Sequence, residues 1–149
     1  YLGRDSLQPF LDRGDKGVFV LCRTSNPGGA DLQDLELASG EPVYERVAAL
    51  AELWNDTGNV GLVVGATAPE ELADLREQVP GIPFLVPGVG AQGGDVEAAV
   101  EYGLADGVGL VNSSRGIIFA GEGRTDFAGA AGEAAKRLRN RLQQYRTDG

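Results

Sequence analysis

Four short segments of this 149-residue chain hold the side chains best suited to chemistry. They are Arg23-Thr24-Ser25-Asn26-Pro27-Gly28-Gly29, Gly65-Ala66-Thr67, Pro87-Gly88-Val89-Gly90-Ala91-Gln92-Gly93-Gly94-Asp95 and Asn112-Ser113-Ser114-Arg115-Gly116. Three of the four are rich in small residues, hydroxyls and amides, which leave backbone N–H groups accessible to a ligand. In the third, Gly88, Gly90 and Gly93 stand in the G-x-G-x-x-G spacing. Alone, that spacing is a weak dinucleotide-fold signal. A dinucleotide fold would also want an acidic residue after the next strand, where this chain has Asn112-Ser113-Ser114-Arg115, at best a reader of a 2'-phosphate. An NADP-binding domain is therefore the weaker alternative. The glycines fit better as a nest in which bare amides approach an anion. Arg115 supplies the fixed positive charge, and its planar fork can hold a phosphate through two parallel hydrogen bonds. The plain alternatives are glycines that only make tight turns, the preferred reading for Gly65, and an Arg115 that pairs with a surface carboxylate.

Composition removes several other chemistries. The chain has no histidine and a single cysteine, Cys22, so zinc sites of the Cys/His type and Ser-His-Asp triads are excluded. One cysteine also forbids an internal disulfide framework and fits a reducing, cytoplasmic setting. Twenty-two acidic against 13 basic residues give a net charge of −9, a field that repels nucleic acid. The basic run Lys136, Arg137, Arg139 and Arg141 fits the far end of a solvated helix. No apolar run reaches the ~18 residues of a membrane span.

The elements that must position these segments follow from apolar patterning. Residues 17–21, 59–64, 82–86 and 107–111 are short, continuously apolar runs, as expected of parallel strands covered on both faces. Helical spacing lies between them. Val43, Val47, Leu50, Ala51 and Trp54 form one stripe. A helix over 69–79 starts on proline and two glutamates and buries Leu72, Leu75 and Val79. A short helix follows Asp95, with Val96, Ala99 and Val100 inward, and a long one covers about 127–145, with Ala131, Ala134, Ala135, Leu138, Leu142 and Tyr145 on one side. The chain enters through a helix capped near Asp5-Ser6. The order is a helix and then strand–helix four times, which means a parallel α/β sheet with right-handed crossovers. A leading helix with no strand before it suggests a unit cut from a larger wheel. In such architectures ligands gather at the carboxyl ends of the strands, and a (β/α)8 barrel frequently binds phosphate after strands seven and eight.

With those residues in view, Tyr1-Leu2-Gly3, Asp5-Ser6-Leu7, the segment 18–28 (VFVLCRTSNPG), Val63-Val64-Gly65-Ala66-Thr67, the segment 86–95 (VPGVGAQGGD) and the segment 111–116 (VNSSRG) resemble the C-terminal half of orotidine 5'-phosphate decarboxylases, closest to the bacterial branch often called type 2. The resemblance implies a TIM barrel of which residues 1–149 supply one partial domain, helix 4 through helix 8. It also implies a homodimer that converts orotidine monophosphate to uridine monophosphate and CO₂ in pyrimidine biosynthesis, with neither metal nor cofactor. Carried over residue by residue, Arg115 binds the phosphate with backbone amides around Gly93, Gly94 and Ser114. Gln92 bridges phosphate and pyrimidine, Ser25 bonds the pyrimidine edge with Thr24 beside it, and Pro87 and Val89 wall the base.

The departure from the family pattern lies in the catalytic group. The family carries its chemistry on an Asp-x-Lys-x-x-Asp segment at the ends of early strands. This chain has two lysines, Lys16 and Lys136, and neither stands in that pattern. A TIM barrel takes roughly 250 residues, so the resemblance places the catalytic segment outside this sequence. The chain alone is then expected to be inactive, a half barrel that holds a phosphate ligand, and to need either the preceding half or a second copy to cover its apolar inner face.

Overall fold

Each apolar run forms a strand, and each strand pairs in parallel with the next in chain order. The computed structural model describes residues 1–66, 69–89, 95–105 and 109–146. Its sheet runs β1 (Val18–Arg23), β2 (Val60–Val64), β3 (Phe84–Pro87) and β4 (Gly109–Asn112), in the order β1-β2-β3-β4. The expected start of the fourth strand at residue 107 lies outside the described residues. Between the strands lie α2 (Ala30–Gln33, after a 3-10 turn at Pro27–Gly29), α3 (Val43–Leu53), α4 (Pro69–Gln78) and α5 (Val96–Glu101). Helix α1 (Arg4–Leu11) precedes the sheet, and α6 (Ser114–Ile118) and α7 (Phe127–Tyr145) follow it. A sheet that advances strand by strand without reversing has no topological switch point of the kind a dinucleotide fold uses. It is the order of a barrel wall, and it does not favour the NADP-binding alternative.

Helices cover one face of this sheet. Val60, Leu62, Val64, Phe84, Val86 and Cys22 point into them and are fully buried. Opposite sit Tyr44, Ala48 and Ala51 of α3, Leu72 and Leu75 of α4 with Val79 just beyond it, and Val96 and Ala99 of α5. The other face is not covered as the continuous apolar runs predicted. Phe19 is 39% exposed, Leu21 48% and Leu110 57%, because the described residues place no layer against them. Their cross-strand partners confirm a single surface: Phe19 pairs with Gly61, Leu21 with Val63, Val63 with Leu85 and Leu85 with Leu110. In a closed barrel this is the side that faces the interior. An apolar groove bounded by Tyr1, Leu2, Phe19, Leu21, Leu32 and Trp54 runs along the free edge of β1.

Three local expectations need correction. Helix α1 starts at Arg4 with Gly3 at its cap and holds Pro9 inside it, so Asp5 is a first-turn residue and not the cap. Its carboxylate suits the positive end of the helix dipole. The inward stripe of α3 is rotated from the one expected: Tyr44, Ala48 and Ala51 are buried while Val43 and Leu50 are only half-buried, since small side chains let the helix sit close on β1 and β2. In α7 the basic run occupies the middle turns, and the last turn holds no basic residue.

Arg76 is the buried charge of the core. Its guanidinium donates to the carbonyl oxygens of Tyr102 (2.8 Å), Pro80 (2.9 Å), Ile82 (2.9 Å) and Val79 (3.3 Å). It also lies 3.8 Å from the Phe84 ring. Three of these carbonyls lie just past the end of α4 and the fourth, that of Tyr102, just past α5, where carbonyls lack helix partners and a cation is favoured. Arg76→Met keeps the stem and removes every donor. It should lower unfolding free energy by about 3 kcal/mol, read as a lower urea midpoint at unchanged m-value. An unchanged midpoint would show that the carbonyls find other partners.

Candidate functional site

Because the strands are parallel and in chain order, their carboxyl ends share one rim. Arg23 pairs with Val64 across β1 and β2, and Pro87 pairs with Asn112 across β3 and β4. Hydrogen bonds carry the ladder one step past the strands. Gly65 N donates to Arg23 O at 2.9 Å, Ala66 N to Pro87 O at 3.2 Å, and Asp95 N to Ala66 O at 3.2 Å. The four segments singled out by residue type are thus neighbours.

Ser25 and Thr24 stand at the end of β1, both half-buried. Ser25 packs against Gly65 so closely that a Cβ there would lie 2.9 Å from Ser25 N and Cβ. Gly65 is thus required by close approach of another loop, a firmer constraint than a tight turn. At β3, Pro87 ends the strand half-buried and Gly88 turns the chain away at φ +91°, a left-handed conformation that glycine adopts without strain. Val89, expected to wall the base, is instead fully buried in the core. Gln92, Gly93 and Gly94, like Gly90 and Thr67, lie outside the described residues. Asp95 closes that loop as the cap of α5, its carboxylate accepting from Glu97 N (2.8 Å) and Ala98 N (3.2 Å).

After β4, Ser114 and Arg115 open α6 and are both exposed. The Ser114 hydroxyl donates to Asn112 Oδ1 at 3.1 Å. Among the described residues no carboxylate forms an ion pair with Arg115. The pairing with a surface acid, its plain alternative, is not formed there.

Beneath Ser25 lies a polar network that residue spacing did not reveal. Arg23, only 12% exposed, holds Glu71 of α4 through two bonds (2.6 and 2.9 Å) and Asp34 at 2.7 Å. Its guanidinium also faces the Tyr44 ring at 5.3 Å. Buried Gln33 of α2 accepts from Arg23 Nη1 (3.2 Å) and Thr24 N (3.0 Å). The one available signal was an arginine closing an otherwise apolar strand, since a buried charge demands partners.

Two titratable groups next to this rim, Cys22 and Tyr44, are unsuited to proton transfer near neutral pH. Burial pushes the Cys22 thiol up to about 12, and burial with the nearby Glu45 and Glu71 carboxylates pushes the Tyr44 phenol up to about 12. Glu71 and Asp34 are held by Arg23. Both lysines are elsewhere: Lys16 pairs with Asp15 ahead of β1, and Lys136 pairs with Glu133 on α7. What the described rim offers is hydroxyls, backbone amides and one guanidinium, the equipment to bind an anionic, hydrogen-bonding ligand.

With this geometry in hand, comparison with known proteins identifies the class. Residues 1–128 match the orotidine 5'-phosphate decarboxylase / HUMPS family, and the chain belongs to that family. The orotidine 5'-phosphate decarboxylase of Halorubrum lacusprofundi is 77% identical over 158 residues, covering 98% of this chain and 57% of that protein. That of Haloarcula marismortui is 73% identical over 154 residues, covering 98% of this chain and 56% of that protein. The chain therefore spans little more than half the length of these curated relatives. Among solved structures, Leishmania donovani UMP synthase superposes with a TM-score of 0.76 at 45% identity, covering 99% of this chain and 32% of that one. The orotidine 5'-monophosphate decarboxylase of Methanocaldococcus jannaschii, at 22% identity and a TM-score of 0.67, shares the fold. The sheet described above is part of a TIM barrel wall.

Gly65 gives this site a direct mechanical test. Gly65→Ala should displace the Ser25 loop and cost about 1–3 kcal/mol. Gly81, whose added Cβ would meet nothing within 4 Å, serves as the control. Gly81→Ala should be neutral or stabilising by up to about 1 kcal/mol. Equal midpoints for the two variants in urea unfolding would contradict the packing described.

Proposed function

We propose that this chain is the substrate-binding half of an orotidine 5'-phosphate decarboxylase, a carboxy-lyase that converts orotidine monophosphate to uridine monophosphate and CO₂ in pyrimidine biosynthesis. The observation that carries the reading is the placement of Ser25 and Arg115 at the carboxyl ends of β1 and β4 in one sheet. Three inter-strand steps separate them, about 14 Å, a span matched to a nucleoside monophosphate lying along the rim. Arg115 takes the phosphate with the amides near Gly93, Gly94 and Ser114. Gln92 reaches from phosphate to base, Ser25 with Thr24 meets the pyrimidine edge, and Pro87 contributes apolar surface beside it. Such contacts hold the substrate so that remote binding energy can act on the reacting carboxylate.

On this reading the four strands are the last four of the barrel, and the chain runs from helix 4 through helix 8 of it. The proton donor comes from the remaining half, and the whole works as a cytoplasmic homodimer. The exposed Phe19, Leu21 and Leu110 are covered by that other half or by a second copy. The absence of a lysine at the described rim supports one further statement: this chain by itself binds phosphate ligands without turnover.

The test is binding of 6-azauridine monophosphate to the full-length protein that carries this chain. Arg115→Ala should weaken it by about 1.5–3 kcal/mol, roughly ten- to 150-fold, while binding of the uncharged nucleoside stays unchanged. No binding, or equal losses for nucleotide and nucleoside, would defeat the assignment. Decarboxylation by residues 1–149 alone would refute the placement of the proton donor.

A further inference from the structure

At the end of β1 the chain leaves the sheet, and its backbone groups pass from strand pairing to side-chain partners. The peptide plane between Arg23 and Thr24, one residue ahead of Ser25, is held at both ends. Its carbonyl oxygen accepts from Gly65 N at 2.9 Å, and its N–H donates to Gln33 Oε1 at 3.0 Å. The same Oε1 accepts from Arg23 Nη1 at 3.2 Å and lies 3.2 Å from Thr24 Oγ, which in turn accepts from Gln33 Nε2 at 3.0 Å. Gln33 is 6% exposed, and Gly29 closes over it: a Cβ there would lie 2.6 Å from Thr24 Oγ and 3.0 Å from Gln33 Oε1. Arg23 continues the chain of bonds to Glu71 on α4. One buried amide side chain thus holds this peptide plane, at the residue where the chain turns toward the rim.

We propose that Gln33 is a positioning residue for substrate recognition: by fixing the Arg23–Thr24 peptide plane it aims Ser25 at the pyrimidine edge. The proposal rests on the functional reading above and adds to it a residue that touches no ligand. Arg23 and Glu71 act behind Gln33, coupling the loop after β1 to the helix after β2. Without Gln33, the bond from Gly65 is the one left to this peptide plane among the described residues, and the plane can pivot about it. Rotating it would swing Ser25 away while leaving the sheet intact.

A double-mutant cycle on the full-length protein tests this. Gln33→Leu should lower kcat/KM for orotidine monophosphate about tenfold or more, and should change it by less than about twofold in a Ser25→Ala background. Gln33→Glu keeps an acceptor oxygen for Thr24 N and Arg23 and should recover most of the loss, and it covers the case in which the leucine variant folds poorly. Native-state hydrogen exchange should show the Thr24 amide losing protection in Gln33→Leu while the Leu62 amide, in β2, keeps its own. Equal losses in both backgrounds, unchanged exchange at Thr24, or an inert Ser25→Ala would each overturn the proposal. A wild-type protein that does not turn over orotidine monophosphate would instead overturn the functional reading itself.

Discussion

Parallel pairing in chain order is the constraint on which the site depends. It forces every strand to leave the sheet on the same side, so loops separated by up to 90 residues of sequence, from Ser25 to Arg115, become neighbours on one rim. The bonds from Gly65 to Arg23 and from Ala66 to Pro87 extend that order into the loops themselves. Only small residues permit such crowding. Gly65 abuts Ser25 without room for a methyl group, and Gly88 turns through a left-handed conformation.

A division of labour follows from the charges. Most carboxylates are exposed, while the buried cations Arg23 and Arg76 are each consumed by structure, one by Glu71 and Asp34 and the other by backbone carbonyls. Arg115 is left at the rim with no acid paired to it among the described residues. In a chain of net charge −9, that local positive charge offsets the overall field, as the proposed phosphate contact requires. The exposed face of the sheet presents Phe19, Leu21 and Leu110 and fits the interior wall of a larger barrel.

Much of this was legible in the residues. The strands could be read because each is a short run of β-branched and apolar residues bounded by glycine, proline or asparagine. Pro69 with Glu70 and Glu71 marked the start of α4, and the long spacing from Phe127 to Tyr145 marked α7. What periodicity could not show was which face of the sheet is covered, because burial depends on what packs opposite. The rotation of the α3 stripe was hidden for a related reason: alanines score as weakly apolar, yet they set the closest helix–sheet approach. The network of Arg23, Gln33, Thr24 and Glu71 joins residues up to 48 positions apart, a proximity that only the fold creates. The residues named by resemblance differ in placement. Ser25, Thr24, Pro87, Ser114 and Arg115 come to the rim, whereas Val89 sinks into the core.

The rim itself is tested most directly by amide chemical-shift mapping of the full-length protein titrated with uridine 5'-monophosphate. Perturbations should concentrate at Thr24, Ser25, Gly65, Ala66, Gly88, Ser114 and Arg115, leaving Gly17, Asn59 and Ile82 at the amino ends of the strands unmoved. Shifts gathered at those amino ends, or along the groove between Leu2 and Trp54, would place the ligand elsewhere and contradict the account.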